Sequence, residues 1–327
     1  MTMMTIVQAI NSALKYEMEQ DDRVLLLGED IGKNGGVFRA TDGLFEQFGE
    51  KRVVDTPIAE SAIIGAAVGL AARGLRPVAE IQFLGFIYEA MDQMAAQASR
   101  LRFRSGGTQT APMVVRAPYG GGIRTPELHS DSLEAIFLHS PGLKIIMPSS
   151  AYDAKGLLAA AMRDPDPVLF LEPMKLYRAF QEEVPEEDYT IEIGRANVLR
   201  QGEDLTIIVW GPPVHMVKAT AEKWAAEHQT SIEVIDLRTV APIDIETITA
   251  SVEKTGRAII VHEAVKTGGV GAEIAAILSE KALYSLSAPI LRVAGFDTPY
   301  PTAQVELDWL PNEKRLNEAI KTVLEDT

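Results

Sequence analysis

The feature that most constrains this chain is a recurring alternation of short, wholly apolar runs with longer segments of helical period. Arg23–Gly28, Arg52–Asp55, Pro77–Ile81, Met113–Arg116, Leu143–Met147 and Val168–Leu171 each read as a strand. Helical spacing fills the gaps at 58–73, 86–103, 131–139 and 151–163. An opening helix begins after Thr5, a candidate cap, with Ile6, Val7, Ile10, Ala13, Leu14 and Met18 in helical period. Strands that are apolar throughout belong to a parallel sheet covered by helices on both faces. The rhythm breaks over 173–203, which holds Pro173, Pro185 and the acidic cluster Glu182, Glu183, Glu186, Glu187 and Asp188. It resumes with strands at Leu205–Trp210, Ile232–Leu237, Arg257–Val261 and Pro289–Val293, separated by helices near 213–228, 244–254 and 270–282. The expected organisation is an α/β domain over 1–180, a linker over 181–203 and a smaller parallel α/β domain over 204–327. A length of 327 residues agrees with two domains.

Charge narrows the function. There are 31 Lys and Arg against 46 Asp and Glu, a net charge of −15. That balance argues against nucleic acid, whose affinity rests on basic side chains neutralising phosphates, and suits a basic partner. The absence of Cys excludes disulfides, thiolate metal sites and a cysteine nucleophile, and agrees with a reducing cytoplasm. The longest strongly apolar stretch, Ala62 to Ala72, falls far short of the ~20 residues a membrane span requires. The polar and acidic residues of the first twenty positions match neither a signal nor a transit peptide. A soluble cytoplasmic protein is expected.

The common hydrolase elbow, zinc-protease and P-loop motifs are all missing, and Gly268-Gly-Val-Gly271 lacks the dinucleotide spacing. Four segments carry a signal instead. In Asp55-Thr-Pro-Ile-Ala-Glu60, Thr56 and Pro57 suit the cap and first position of a helix, and Glu60 stands in its first turn at the mouth of the sheet. Glu60 serves either the helix dipole or a ligand. Along that helix Ala62, Gly65, Ala66, Gly69 and Ala72 leave one face nearly bare, suited to close approach of another helix or subunit. Gln82, Phe83, Phe86 and Tyr88 cluster where the next strand ends, either as core or as a stacking surface for a planar ring. Gly120-Gly-Gly-Ile-Arg124-Thr-Pro-Glu127-Leu-His129 forms a loop after the following strand, and His129 is its one group that titrates near neutrality. Ala161-Met-Arg-Asp164-Pro-Asp166 ends a helix with exposed carbonyls beside two carboxylates, suited to a cation or to a plain turn.

Together with Gly28-Glu29-Asp30-Ile-Gly32, His129-Ser-Asp131, Pro141-Gly-Leu-Lys144, Asp236-Leu-Arg-Thr239 and Thr298-Pro-Tyr-Pro301, these segments resemble the β subunits of thiamine-diphosphate-dependent 2-oxo acid dehydrogenases. The likeness runs from about residue 3 to the end. It implies a transketolase-like fold: a pyrimidine-binding α/β domain followed by a smaller transketolase C-terminal-like domain. It implies assembly of two α and two β chains, with thiamine diphosphate bound between them and Mg²⁺ held mainly by α. By this match Glu60 is the carboxylate on the pyrimidine ring nitrogen, Phe86 stacks on that ring with Gln82 beside it, and Glu29 belongs to a carboxylate network linking paired sites. His129 lines the channel for the lipoyl arm and stabilises charge during decarboxylation or acyl transfer. Met113, Ala161, Asp164 and Asp166 match a K⁺ site found in some relatives. The implied further partner is a dihydrolipoyl acyltransferase, through its lipoyl domain and its basic peripheral subunit-binding domain. Pyruvate is the expected substrate, with branched-chain 2-oxo acids or acetoin as alternatives. A purely bridging assembly subunit is a different class of reading, and Glu60 with His129 argues against it.

Overall fold

The computed structural model describes residues 1–325, which form two mostly parallel sheets flanked by helices and a small two-stranded antiparallel sheet. The larger sheet has seven strands in the order Thr239–Ala241, Lys144–Ile146, Val168–Pro173, Val114–Tyr119, Arg76–Glu80, Val24–Gly28 and Val53–Asp55. All pairs are parallel except the first. The smaller has Leu291–Gly295, Ala258–Val265, Leu205–Val209 and Ile232–Asp236 in parallel, closed by antiparallel Asn197–Arg200. Every position of Val114–Tyr119, Val168–Pro173 and Leu205–Val209 is buried, as strands covered on both faces require.

The helices follow the expected caps closely at the chain start. Thr5 accepts from the Gln8 N–H at 3.4 Å while the Gln8 side chain accepts from the Thr5 N–H at 2.9 Å, a reciprocal capping box. The resulting Ile6–Gln20 helix buries Ile6, Ile10, Leu14 and Met18 and packs on the Ala151–Arg163 helix, itself capped by Ser150. Two expectations differ. The helix assigned to 58–73 begins at Glu60, after Ala59, so Thr56 and Pro57 lie in the approach and not at its cap. The helix assigned to 86–103 is a 3₁₀ turn over Leu84–Ala90, a π segment over Asp92–Ala98 and a short α turn at Leu101–Arg104. The π segment falls where Met94 and Ala98 are buried together, and such widened turns are frequent near functional sites.

Residues 181–203, the expected linker, contain two short strands. Glu182–Val184 pairs with Thr2–Met4, and Asn197–Arg200 is the edge of the smaller sheet. The two halves are also laced together, because Thr239–Ala241 leaves the smaller sheet region to add an antiparallel edge to the larger one, opposite Lys144–Ile146.

A cluster of three charged side chains, Arg116, Glu80 and Glu172, is buried within the larger sheet. Arg116, 1% exposed, donates from Nε to Glu172 at 2.6 Å, from Nη2 to Glu172 at 3.0 Å, and from Nη1 to Glu80 at 2.7 Å. The Tyr177 hydroxyl donates to Glu172 at 2.5 Å. Burial raises the Glu80 carboxyl above its ordinary range against the pull of Arg116. Burial also works against the Arg116 charge, but Glu172 and Glu80 outweigh it and hold its proton more tightly. Arg116→Met is expected to destabilise the protein by about 3–5 kcal/mol, since it strands two buried carboxylates without their cation. A urea unfolding midpoint within error of wild type would refute that expectation.

Candidate active site

Strand order decides which loops meet. The strands Val53–Asp55, Val24–Gly28, Arg76–Glu80 and Val114–Tyr119 are consecutive neighbours and parallel, so their carboxyl ends lie on one edge. The chain passes from Val24–Gly28 to Val53–Asp55 on one side, then returns to Arg76–Glu80 on the other. This reversal is the position where open α/β sheets leave a crevice for ligands. Glu29, Glu60, Gln82 with Phe86, and His129 each follow one of these four strands.

The loops are tied together by backbone contacts. The Thr56 N–H donates to the Gly28 carbonyl at 2.9 Å, and the Asp55 carboxylate accepts from the Gly32 N–H at 2.6 Å. Burial, aided by the negative charges of Asp30 and Glu60, raises the Glu29 carboxyl above its usual range. Glu60 is the first residue of its helix and only partly buried. Ser61 donates to the Glu89 carbonyl, which fastens that helix to the Leu84–Ala90 turn.

His129 packs against the aromatics. Its ring centroid lies 4.5 Å from that of Phe83 and 5.1 Å from that of Phe86, and Phe83 and Phe86 meet edge to face at 6.0 Å. Phe83 is buried and leans on Phe38, whereas Phe86 and Gln82 keep part of their surface open. His129 Nδ1 is buried and has no hydrogen-bond partner among the described residues. Gly85 makes this approach feasible: a Cβ there would stand 1.8 Å from the Leu128 carbonyl oxygen. A cavity of about 280 Å³ opens between the two halves of the chain beside this loop, lined by Tyr88, Ser130, Asp131, Gly269, Tyr300 and Trp309. A groove of about 830 Å³ around Arg102, Phe103 and Gly142 lies elsewhere and shares no residue with these strand ends.

Two sequence families match the chain: transketolase, pyrimidine binding domain, over residues 2–179, and transketolase, C-terminal domain, over 194–316. The chain is 58% identical over 325 residues to the pyruvate dehydrogenase E1 component subunit beta of Staphylococcus epidermidis, and equally to that of Staphylococcus aureus. Each match covers 99% of this chain and 100% of the relative. This chain belongs to the pyruvate dehydrogenase E1 β-subunit family. Its fold superposes on a split-gene transketolase, described as an inactive β4 tetramer, with a TM-score of 0.80 over 98% of both chains at 24% identity.

Within that family setting, the residues expected to hold K⁺ stand apart from the four strand ends. Asp164 caps the end of the Ala151–Arg163 helix and pairs with Lys144 at 2.5 Å, and Asp166 pairs with Arg102 at 2.7 Å. The Met113 and Ala161 carbonyls accept the Val168 and Asp164 N–H groups at 3.0 and 3.2 Å. Cationic side chains thus already face both carboxylates. Among the described residues no cluster of three or more His, Asp and Glu could hold a metal ion. Pattern and motif do not single out the Arg116 network or Glu263; the one signal in the sequence is a charge inside a largely apolar run, at Glu80, Arg116, Glu172 and Glu263 alike.

Glu263 is buried between the domains with Oε2 unpaired, and burial pushes its carboxyl up to about 7. Asp236 is likewise pushed up to about 7 by burial and by Asp153. Between the ordinary carboxyl value of 4.5 and about 7, the folded protein keeps a proton on Glu263 that the unfolded chain has lost, so stability declines as pH rises through that window. Glu263→Gln is expected to remove up to about 3 kcal/mol of that decline, and urea titrations at several pH values across the window measure it. Gly85→Ala is expected to cost about 1–3 kcal/mol and to push Leu128 and His129 off the aromatic pair. The His129 ring proton resonances, assigned with His129→Asn, would then lose the ring-current shift from Phe83 and Phe86; an unchanged spectrum would contradict this account.

Proposed function

We propose that this chain is the β subunit of a thiamine-diphosphate-dependent pyruvate dehydrogenase, working with an α chain in a tetramer of two α and two β chains. The reading rests chiefly on one coincidence. A chain 58% identical along its whole length to named pyruvate dehydrogenase E1 β subunits brings Glu29, Glu60, Phe86 and His129 to one edge of its sheet. These residues suit a cofactor pyrimidine. A part-exposed aromatic ring lies beside the crevice, a carboxylate opens a helix at its mouth, and a buried imidazole nitrogen awaits a partner. The diphosphate and Mg²⁺ would be held by the α chain.

When bound, thiamine diphosphate supplies a nucleophilic carbon able to attack a 2-oxo acid and release carbon dioxide. The part of this chain is to prepare and position. Glu60 would hold a proton at the pyrimidine ring nitrogen, with Glu29 on the loop after the neighbouring strand. Phe86 would fix the ring plane, with Gln82 at its edge. His129 would present its imidazole to the departing acyl group and to the incoming lipoyl arm. The acyl group would pass to a dihydrolipoyl acyltransferase, whose basic peripheral domain suits a chain of net charge −15. Ala62, Ala66, Gly69 and Ala72 lie exposed along the Glu60–Ala72 helix, a face open to another chain. No helix among the described residues is long and apolar enough to cross a membrane. A bacterial cytoplasmic setting fits this reading.

Pyruvate decarboxylation with thiamine diphosphate and Mg²⁺ is expected only when the chain is mixed with its cognate α chain. Glu60→Gln should lower the rate by about 10²–10⁴-fold, the usual worth of one placed proton-transfer group, without preventing assembly. Full activity of the Glu60→Gln complex would overturn the assignment, and a clear preference for branched-chain 2-oxo acids would overturn pyruvate as substrate.

A further inference from the structure

The loop that carries His129 is held from two sides. Its ends are closed by the Gly120 N–H, which donates to the Asp131 carbonyl at 3.4 Å, so residues 120–131 form a compact Ω-shaped excursion. One side rests on Gly85 and the aromatic pair. The other is gripped by the C-terminal domain. Glu306, 1% exposed, accepts through one carboxylate oxygen from the Gly122 N–H at 2.8 Å and the Arg124 N–H at 3.2 Å. The same oxygen accepts from the Tyr300 hydroxyl at 2.7 Å, and that hydroxyl stands 3.2 Å from the Gly122 nitrogen.

The consecutive glycines follow from this grip. A Cβ on Gly121 would lie 1.7 Å from the Tyr300 hydroxyl oxygen, and one on Gly120 would lie 2.5 Å from Glu263. Gly122 and Arg124, the two residues whose N–H groups meet Glu306, both adopt left-handed backbone, at φ +89° and +61°. A non-glycine residue in that region persists only when its surroundings over-determine it. Charge-assisted bonds from a buried carboxylate are strong enough to do so. Between Gly122 and Leu128 the remaining side-chain bonds, Thr125 to Ser130 and Ser130 to the Pro126 carbonyl, are internal to the loop. They shape it without placing it.

We propose that Glu306 and Tyr300 are positioning residues for His129, through which the C-terminal domain sets the geometry of the reaction without touching the reacting atoms. The proposal rests on the role given to His129 above. In the assembled α/β complex Glu306→Ala is expected to lower kcat for acyl transfer to a lipoyl domain by about 10- to 100-fold, the scale of a small misplacement of a reacting group. The KM for thiamine diphosphate should stay within about twofold, since the displaced group does not bind it. Glu306→Gln keeps an acceptor for the loop and should recover most of the rate. Tyr300→Phe is a milder variant, suited to the case in which Glu306→Ala does not assemble, and should lower the same kcat by a smaller factor while displacing the His129 ring resonances. The decisive comparison is made in the His129→Ala background. There Glu306→Ala should have little further effect, because the residue it places is gone. An equal loss in both backgrounds, or no loss in either, would overturn the positioning role. If His129→Ala alone leaves both decarboxylation and acyl transfer unchanged, the catalytic reading of His129 falls first and this proposal falls with it.

Discussion

The architecture depends on a positive charge buried inside a parallel sheet. Arg116 reaches across to Glu80 on one neighbouring strand and Glu172 on the other, and its Nε, Nη1 and Nη2 each donate to one of these carboxylates. Burying three ionised groups is costly in isolation, and geometry must compensate through short, well-directed bonds. Such bonds have little tolerance for sliding. They lock the register of Arg76–Glu80, Val114–Tyr119 and Val168–Pro173 near their carboxyl ends, where hydrophobic packing alone would leave adjustment. The loops bearing Gln82, Phe86 and His129 leave directly from those ends.

The second constraint is that the site is not the property of one domain. Strand order gathers Glu29, Glu60, Phe86 and His129 within the N-terminal half, yet the His129 loop is shaped by residues near the chain's other end. Gly85 and the Gly120–Gly122 run fulfil opposite halves of that task. At Gly85 the missing side chain admits the loop's own carbonyl, whereas at Gly121 it admits a tyrosine from the C-terminal domain. In each case the local sequence yields space so that a distant element can come close.

Much of this was legible beforehand, and the exceptions have physical causes. Continuous apolar runs revealed the parallel strands because burial on both faces erases polar alternation. Thr5 and Gln8 acted through local bonds, so the opening helix appeared where its cap stood. Thr56 and Pro57 suggested a cap three residues early, because the chain still has to travel from the end of Val53–Asp55 to the helix start at Glu60. Periodicity could not distinguish a π segment from an α-helix over 92–98, since both bury residues at similar spacing. Pattern places Gln82, Phe86 and His129 just after strand ends and Glu60 at a helix start, and the family resemblance supplies their grouping. The Arg116 network and the Tyr300–Glu306 grip are pairings between residues far apart in the chain. Single residues advertised them only as charges in apolar company.

The strand Thr239–Ala241 carries a consequence for how such proteins can change over time. It is encoded beyond the smaller domain's first two parallel strands, yet it completes the edge of the larger sheet. A recombination event that joined the first domain of one homologue to the second of another would therefore not exchange independent cassettes. It would ask a foreign strand to match the Lys144–Ile146 edge and, at the same time, a foreign tyrosine and glutamate to fit the glycine loop. Failure at the first junction would leave a bare edge open to unwanted pairing with other chains. The two halves are thus bound to a shared inheritance, and substitutions on one side of the seam restrict which substitutions the other side can accept.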